Sequence, residues 1–190
     1  LNTSNENKLV EITSYFEPVL SSAIQDESHK AFNNLFLKYK YENNILFVKR
    51  KDRNSKENDV YMATSLYTKN ESIGDLEYEV DKEKFVGRNN FGVPEYIKYS
   101  KKFTSSEELV TNPIVAFRRT FEIPANDKIE ISLLIAVGRN MDSVKNIINN
   151  NLNNENINRN FELSKVRIEE ENKYLSLKGD EIRLCNKILT

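Results

Sequence analysis

Two carboxylates held at a fixed separation can run glycoside chemistry, and this chain carries 29 aspartates and glutamates among 190 residues. Three of them, Glu77, Glu79 and Asp81, alternate with Leu76, Tyr78 and Val80. That is the pattern of a strand with one wet face, so they are expected in solvent. Glu17 differs because Tyr15 and Phe16 precede it. A carboxylate beside aromatic rings can accept hydrogen bonds from sugar hydroxyls, or it can serve as an ordinary cross-strand or turn partner. His29, the one histidine, stands before Lys30-Ala31-Phe32, either as a site residue or as part of a local hydrogen-bond network. Arg88, in the glycine turn Gly87-Arg88-Asn89-Asn90, has a fork of donors suited to a phosphate or sugar hydroxyl, or to a salt bridge that anchors a loop. Arg118 and Arg119 fall on opposite strand faces, so at most one points at a common ligand and the other is expected in solvent. The ligand-binding candidates are Glu17, His29, Arg88 and Arg119. No catalytic residue and no metal ligand is nominated.

Other chemistries leave no trace. The chain has no phosphate-cradling glycine loop, no dinucleotide fingerprint, no paired-cysteine zinc spacing and no His-Glu-x-x-His helix. With one histidine and one cysteine, a nitrogen and sulfur metal site within the chain is not expected, and a serine or cysteine triad would have to use His29 without any nucleophile elbow. No cofactor is expected. Cys185 has no intramolecular disulfide partner and sits in an apolar helical pattern, where a small packed thiol is the simplest reading.

The elements that must position these candidates are mostly strands. Residues 8–19 are rich in β-favouring side chains and end at Pro18. Runs at 35–41 and 45–49, joined through Glu42-Asn43-Asn44, predict a hairpin. Residues 51–58 read as a charged surface loop, and strands resume at 60–67 and 76–80. Residues 85–112 have no period and read as a long functional or interface loop. Strands at 114–123 and 129–137 follow, linked by the turn Pro124-Ala125-Asn126-Asp127. The pattern then turns helical, with Asp142 as N-cap. Nine of the fifteen residues from Asn146 to Asn160 are asparagine, which weakens helix interiors and predicts a linker there. A long helix should run from Glu155 or Phe161 to Lys178, with Gly179 as its C-terminal cap and Asp180 opening a last helix. Phe161, Ile168, Leu175, Ile182 and Leu189 recur every seven residues without the second apolar line of a coiled coil. They predict a stripe packed on another domain.

The 28 basic residues nearly cancel the acidic ones, leaving a formal charge of −1. That argues against nucleic acid or an anionic membrane as the partner, since such affinity rests on concentrated positive charge. No apolar run approaches the roughly 20 residues of a membrane span and no signal-peptide pattern opens the chain, so a soluble, cytoplasmic protein is expected. Leu1-Asn2-Thr3 lacks a methionine and reads as the end of a strand entering a turn, as in a piece of something larger.

Four motifs in order, Thr13-Ser14-Tyr15-Phe16-Glu17, Asp26…His29-Lys30-Ala31-Phe32…Leu35-Phe36, Phe85-Val86-Gly87-Arg88 and Asn112-Pro113-Ile114…Phe117-Arg118-Arg119, lie along a stretch read as all β. Their order and spacing resemble the β-sandwich domain of the β-glucan phosphorylases and cyclic β-1,2-glucan synthases. Lys30 replaces the usual proline, and Asn112 replaces the usual aspartate. The resemblance covers about residues 1–150. It implies a mainly β fold, an antiparallel two-sheet sandwich of the galactose-mutarotase-like supersandwich kind with a C-terminal helical linker. Its divisions would be 1–140 for the sandwich, 141–160 for a helix and asparagine-rich linker, and 161–190 for linker helices toward a helical barrel. It further implies a non-catalytic carbohydrate-binding or structural domain of a larger enzyme acting on β-glucosides by phosphorolysis or transglycosylation. The general acid and phosphate site would belong to the barrel, and this piece would be silent alone. Implied partners are a β-linked glucan or oligosaccharide, the barrel and a second copy. A stand-alone β-sandwich module for glycan or protein binding is the alternative. If the motifs form one surface, Glu17, His29 and Arg88 gather at one edge of the sandwich.

Overall fold

The computed structural model describes residues 1–51, 59–88, 92–107 and 109–188. The surface-loop reading of 52–58, the Asn89-Asn90 half of the glycine turn, Leu189 and the side chain of Cys185 lie outside the described residues. Its strands are β1 (Lys8–Phe16), β2 (Leu37–Glu42), β3 (Ile45–Arg50), β4 (Val60–Tyr67), β5 (Ile73–Asp81), β6 (Pro113–Ile123) and β7 (Ser132–Gly138). They form two antiparallel sheets, one ordered β1-β6-β5 and the other β2-β3-β4-β7. By its internal contacts the chain divides into two compact units, Leu1–Asn149 and Asn150–Thr190. No described helix is long and apolar enough to cross a membrane.

The sandwich core follows from alternation. Leu37 and Tyr39 of β2, Leu46 and Val48 of β3, Met62 and Leu66 of β4, Leu76, Tyr78 and Val80 of β5, and Val115 and Phe117 of β6 form one buried cluster. Tyr41 of β2 stacks on Tyr78 of β5 at 4.2 Å, which sets β5 over β2. The β2–β3 hairpin closes through Asn43 and Asn44 at φ 52° and 62°. Asparagine tolerates that left-handed pair, and its twist matches the strands.

Each outer face is covered in part as well. On the second sheet Ile45, Phe47, Ala63 and Ala136 are buried on the side away from the core. Helix α4 (Met141–Asn150) contributes buried Val144 and Ile148. Its Lys145 reaches Glu42 at 2.6 Å, and a Cβ on Gly138 would come within 3.1 Å of Val144. On the first sheet, Phe85 of α2 (Lys82–Val86), Tyr96 of α3 (Glu95–Lys98) and Phe103 pack over Ile114 and Ala116. Among its described residues the aperiodic stretch 85–112 therefore contains the end of α2, the short helix α3 and an aromatic cap.

Several expectations need correction. The second motif is helical, because Ser22 caps helix α1 (Ala23–Asn34) through Gln25 N and Asp26 lies in its first turn. Its Ala, Gln, Glu and Lys residues suit a helix. Strands β6 and β7 belong to different sheets, so the Pro124 turn crosses the sandwich and closes no hairpin. Asn140 rather than Asp142 caps α4, its Oδ1 accepting from the backbone N–H groups of Asp142 and Ser143. Helix α5 (Asn154–Tyr174) starts inside the asparagine-rich run, capped by Asn153, and stops at Leu175 before Ser176 at φ 55°. Gly179 is the first residue of α6 (Gly179–Ile188), and Lys178 N–H donates to Glu181. Leu1-Asn2-Thr3 is irregular. Buried Asn2 donates to the carbonyls of Ile123 and Pro124 and accepts from Ser4, pinning this segment to the sheet-crossing turn.

Candidate functional site

Pro18 ends β1, and the chain leaves the sheet at Glu17. Lys30 of α1 donates to Glu17 Oε2 at 2.6 Å, and Lys82, the first residue of α2, donates to Oε1. Two ammonium donors favour the ionised form, so hydrogen bonding to Lys30 and then to Lys82 lowers the Glu17 pKa below the usual carboxylate range against a smaller opposing effect of burial. Lys30 is raised in return. A carboxylate held ionised in this way cannot deliver a proton as a general acid near neutral pH. It can orient two ammonium groups, each with donors to spare for hydroxyl or phosphate oxygens.

Beside Glu17 lies an open cleft of about 400 Å³ with apolar walls. Phe16, Val19 and Leu20 form one side, and Val60, Met62 and Val137 the other. One charged group over aliphatic and aromatic walls is the usual composition of a small-ligand pocket.

Lys30 and Lys82 tie Glu17 to the helix that carries His29 and to the helix that leads into Arg88. His29 breaks α1 with φ −149° and ψ 53°, and its imidazole is exposed, as is Arg88. Gly87 needs its φ of 85°, and a Cβ there would fall 2.2 Å from Glu95. Arg119 is not part of this group. It lies six residues along β6 from Pro113, about 20 Å at strand rise, and its Nη1 donates to Ser72. Arg118, on the other face, is buried, so neither arginine stands free in solvent.

The three alternating acids do not form a freely solvated face, and Glu77 and Asp81 are half-buried. Glu79 is fully buried. Its Oε1 accepts from Val80 and Asp81 N–H at 2.9 and 3.0 Å, and its Oε2 from the Thr104 hydroxyl at 2.7 Å. Tyr96, raised by burial and then by the Glu79 charge, hydrogen-bonds the same carboxylate. Glu77 Oε2 accepts from Arg118 Nη2 at 2.6 Å and from Phe103 N–H at 3.0 Å. The Arg118 guanidinium lies 4.5 Å from the Phe103 ring centre. Asp81 caps α2. Glu77 and Glu79 fasten the returning segment around residues 101–105 to β5. The alternation hid this because nothing local in β5 announces a covering segment. The one signal was the recurrence of aromatic residues, Phe85, Tyr96, Tyr99 and Phe103 among them, in a stretch with no period.

Comparison with known proteins finds a match to the glycosyl hydrolase 94 supersandwich domain over residues 1–154. The chain is also 29% identical over 135 residues to the cyclic beta-(1,2)-glucan synthase NdvB of Rhizobium meliloti. That stretch is 69% of this chain and 5% of NdvB. The chain thus spans a small part of that relative's length.

Proposed function

Because this chain belongs to the glycosyl hydrolase 94 supersandwich-domain family, we propose that it works as a non-catalytic β-sandwich domain of a larger carbohydrate-active enzyme that phosphorolyses or transglycosylates β-glucosides. The match over residues 1–154, which spans the whole sandwich, carries this reading. In it, residues 1–140 are the sandwich, 141–160 a helix and linker, and 161–190 helices that meet a helical barrel. The domain's own task is to hold β-linked glucan at the Glu17 cleft, where Lys30 and Lys82 supply donors to hydroxyls and the apolar walls take the sugar faces. His29 and Arg88 flank this region and serve as further ligand contacts, and Arg119 would contact ligand on a separate part of the sheet.

Titration of sophorose and longer β-1,2-glucan oligomers into the chain, followed by nuclear magnetic resonance, tests the assignment. Shifts are expected at Glu17, Lys30 and Val19, weakened about tenfold in Lys82→Met, a loss typical of a charge-assisted contact. With phosphate present no glucose 1-phosphate should form. Oligomers that shift no resonance near the cleft would reduce the domain to a scaffold, and phosphate-dependent release of glucose 1-phosphate would overturn the non-catalytic reading.

A further inference from the structure

Helix α1 does not run straight, and its break has a centre. Gln25 and Asn33 are eight residues apart, which is about 12 Å along a straight helix. Their side-chain oxygens nevertheless both face one atom, each lying 3.4 Å from Nη2 of Arg50. The non-helical backbone of His29 brings the second half of α1 back toward the first, and Asn33 Nδ2 fastens the two halves by donating to the Gln25 carbonyl. Arg50 is the last residue of β3 and pairs in register with buried Leu37. Its stem therefore leaves the core-facing side of the sheet, and its guanidinium meets α1 at the break.

That guanidinium is only partly satisfied. Its two contacts at 3.4 Å are longer than the roughly 2.7–3.2 Å usual for an N–H···O bond, and the buried Nε has no hydrogen-bond partner among the described residues. Beside it lies a cavity of about 10 Å³, walled by Ser21, Asp26, Asn33, Asn34 and Arg50 and by the turn from Pro18 to Leu20. A space of that size holds one water and nothing larger. Charge selects the occupant as well: the guanidinium disfavours a cation and the Asp26 carboxylate an anion, whereas a neutral molecule that both accepts and donates suits both walls. We infer that one ordered water sits here, accepting from Arg50 Nε–H and donating to Asp26, and that this hydrated joint fixes the break in α1. Lys30 follows the break directly and donates to Glu17, so Asp26 and Arg50 are positioning residues for the Glu17 cluster. The aspartate that opens the second sequence motif thereby has a partner in β3. None of this depends on glucan binding.

Nuclear magnetic resonance of the isotope-labelled 190-residue chain tests the joint at the atom concerned. The Arg50 Hε resonance is expected to exchange slowly with solvent and to show a cross-relaxation peak with water of the sign that marks a long-lived hydration site. Asp26→Leu, which takes up the space and offers no acceptor, should abolish that peak. Asp26→Asn keeps an acceptor oxygen and should retain it. In Asp26→Leu the titration midpoint of the Glu17 carboxyl, held low by Lys30 and Lys82, should rise toward the ordinary carboxylate value, while that of Glu42, held by Lys145 and Lys40, stays in place. Should Asp26→Leu fail to fold, Arg50→Met keeps the stem and should move the Glu17 midpoint in the same direction. A parent chain with no water peak at Arg50 Hε overturns the inference, as does a direct Asp26–Arg50 ion pair in its place. A Glu17 midpoint that stays where it was in these variants overturns the positioning role.

Discussion

Glu17 and Glu79 are both carboxylates at the β1–β6–β5 sheet, and their surroundings set them different tasks. Glu17 is about one-third exposed and shared by two lysines, so solvent screening limits its worth to about 0.2–1 kcal/mol. Its folded pKa is depressed. The stabilisation is therefore present above the unfolded carboxylate value and is lost as pH falls through the folded one. Urea denaturation should show Glu17→Gln less stable than the parent by about 0.5 kcal/mol at neutral pH, with the difference closing as the solution is taken well below the ordinary carboxylate pKa. A gap that widened in acid would contradict the assignment. Glu42, held down to about 2 by Lys145 and then Lys40, titrates in the same direction. Glu79 is buried, and its loss strands the Thr104 hydroxyl and two backbone N–H groups. Calorimetry of Glu79→Ala is expected to show a loss of about 3 kcal/mol, the range for buried polar groups left without partners. A neutral result would mean that solvent reaches this pocket.

At the scale of elements, the strands were legible wherever period two coincided with a buried face on one side and water on the other. The β2–β3 hairpin is the clearest instance. Leu37 and Tyr39 are buried, Lys38 and Lys40 exposed, and Asn43-Asn44 form the turn that the alternation requires. A β-branched residue resists positive φ, so Asn43→Val should cost about 1–2 kcal/mol, read from the shift in denaturation midpoint. An unchanged midpoint would show that the turn adopts another type. Helix α1 was not legible in the same way. Its Ser22 cap and helix-forming residues are present in the sequence, but the break at His29 interrupts its period. Strand β5 was read correctly as a strand and wrongly as half solvated, because burial of its second face depends on residues more than twenty positions away.

For the whole molecule, the division into Leu1–Asn149 and Asn150–Thr190 carries its own expectation. The first unit contains both sheets, the core between them and the residues that cover each outer face. A chain ending at Asn149 should unfold in one cooperative step, as compact domains of this size do, with the near-ultraviolet signal of its tyrosines lost at the same midpoint as the strand signal. Two separate transitions would show that the sheets are not one cooperative structure. The second unit, taken as an isolated peptide, should be only partly helical at room temperature. Helix α5 begins among asparagines and leaves Phe161, Leu163, Val166 and Ile168 exposed, and helices draw most of their stability from packing an apolar face.

Local composition by itself determined the strand count region by region, the hairpin turn, the change to helix after Arg139 and the near-neutral charge, since each depends on side chains within a few positions of one another. The ordered motifs determined the family. Which sheet each strand joined, which face of β5 was dry, and the meeting of Glu17 with Lys30 and Lys82 were decided only in three dimensions. Those outcomes rest on contacts between residues 13 and 65 positions apart for Glu17, and on a sheet crossing at Pro124 that a turn signal cannot distinguish from a hairpin. A turn encodes a reversal of direction; whether the next strand pairs with its predecessor or crosses to the other sheet depends on which edge is free and which apolar surface remains to be covered.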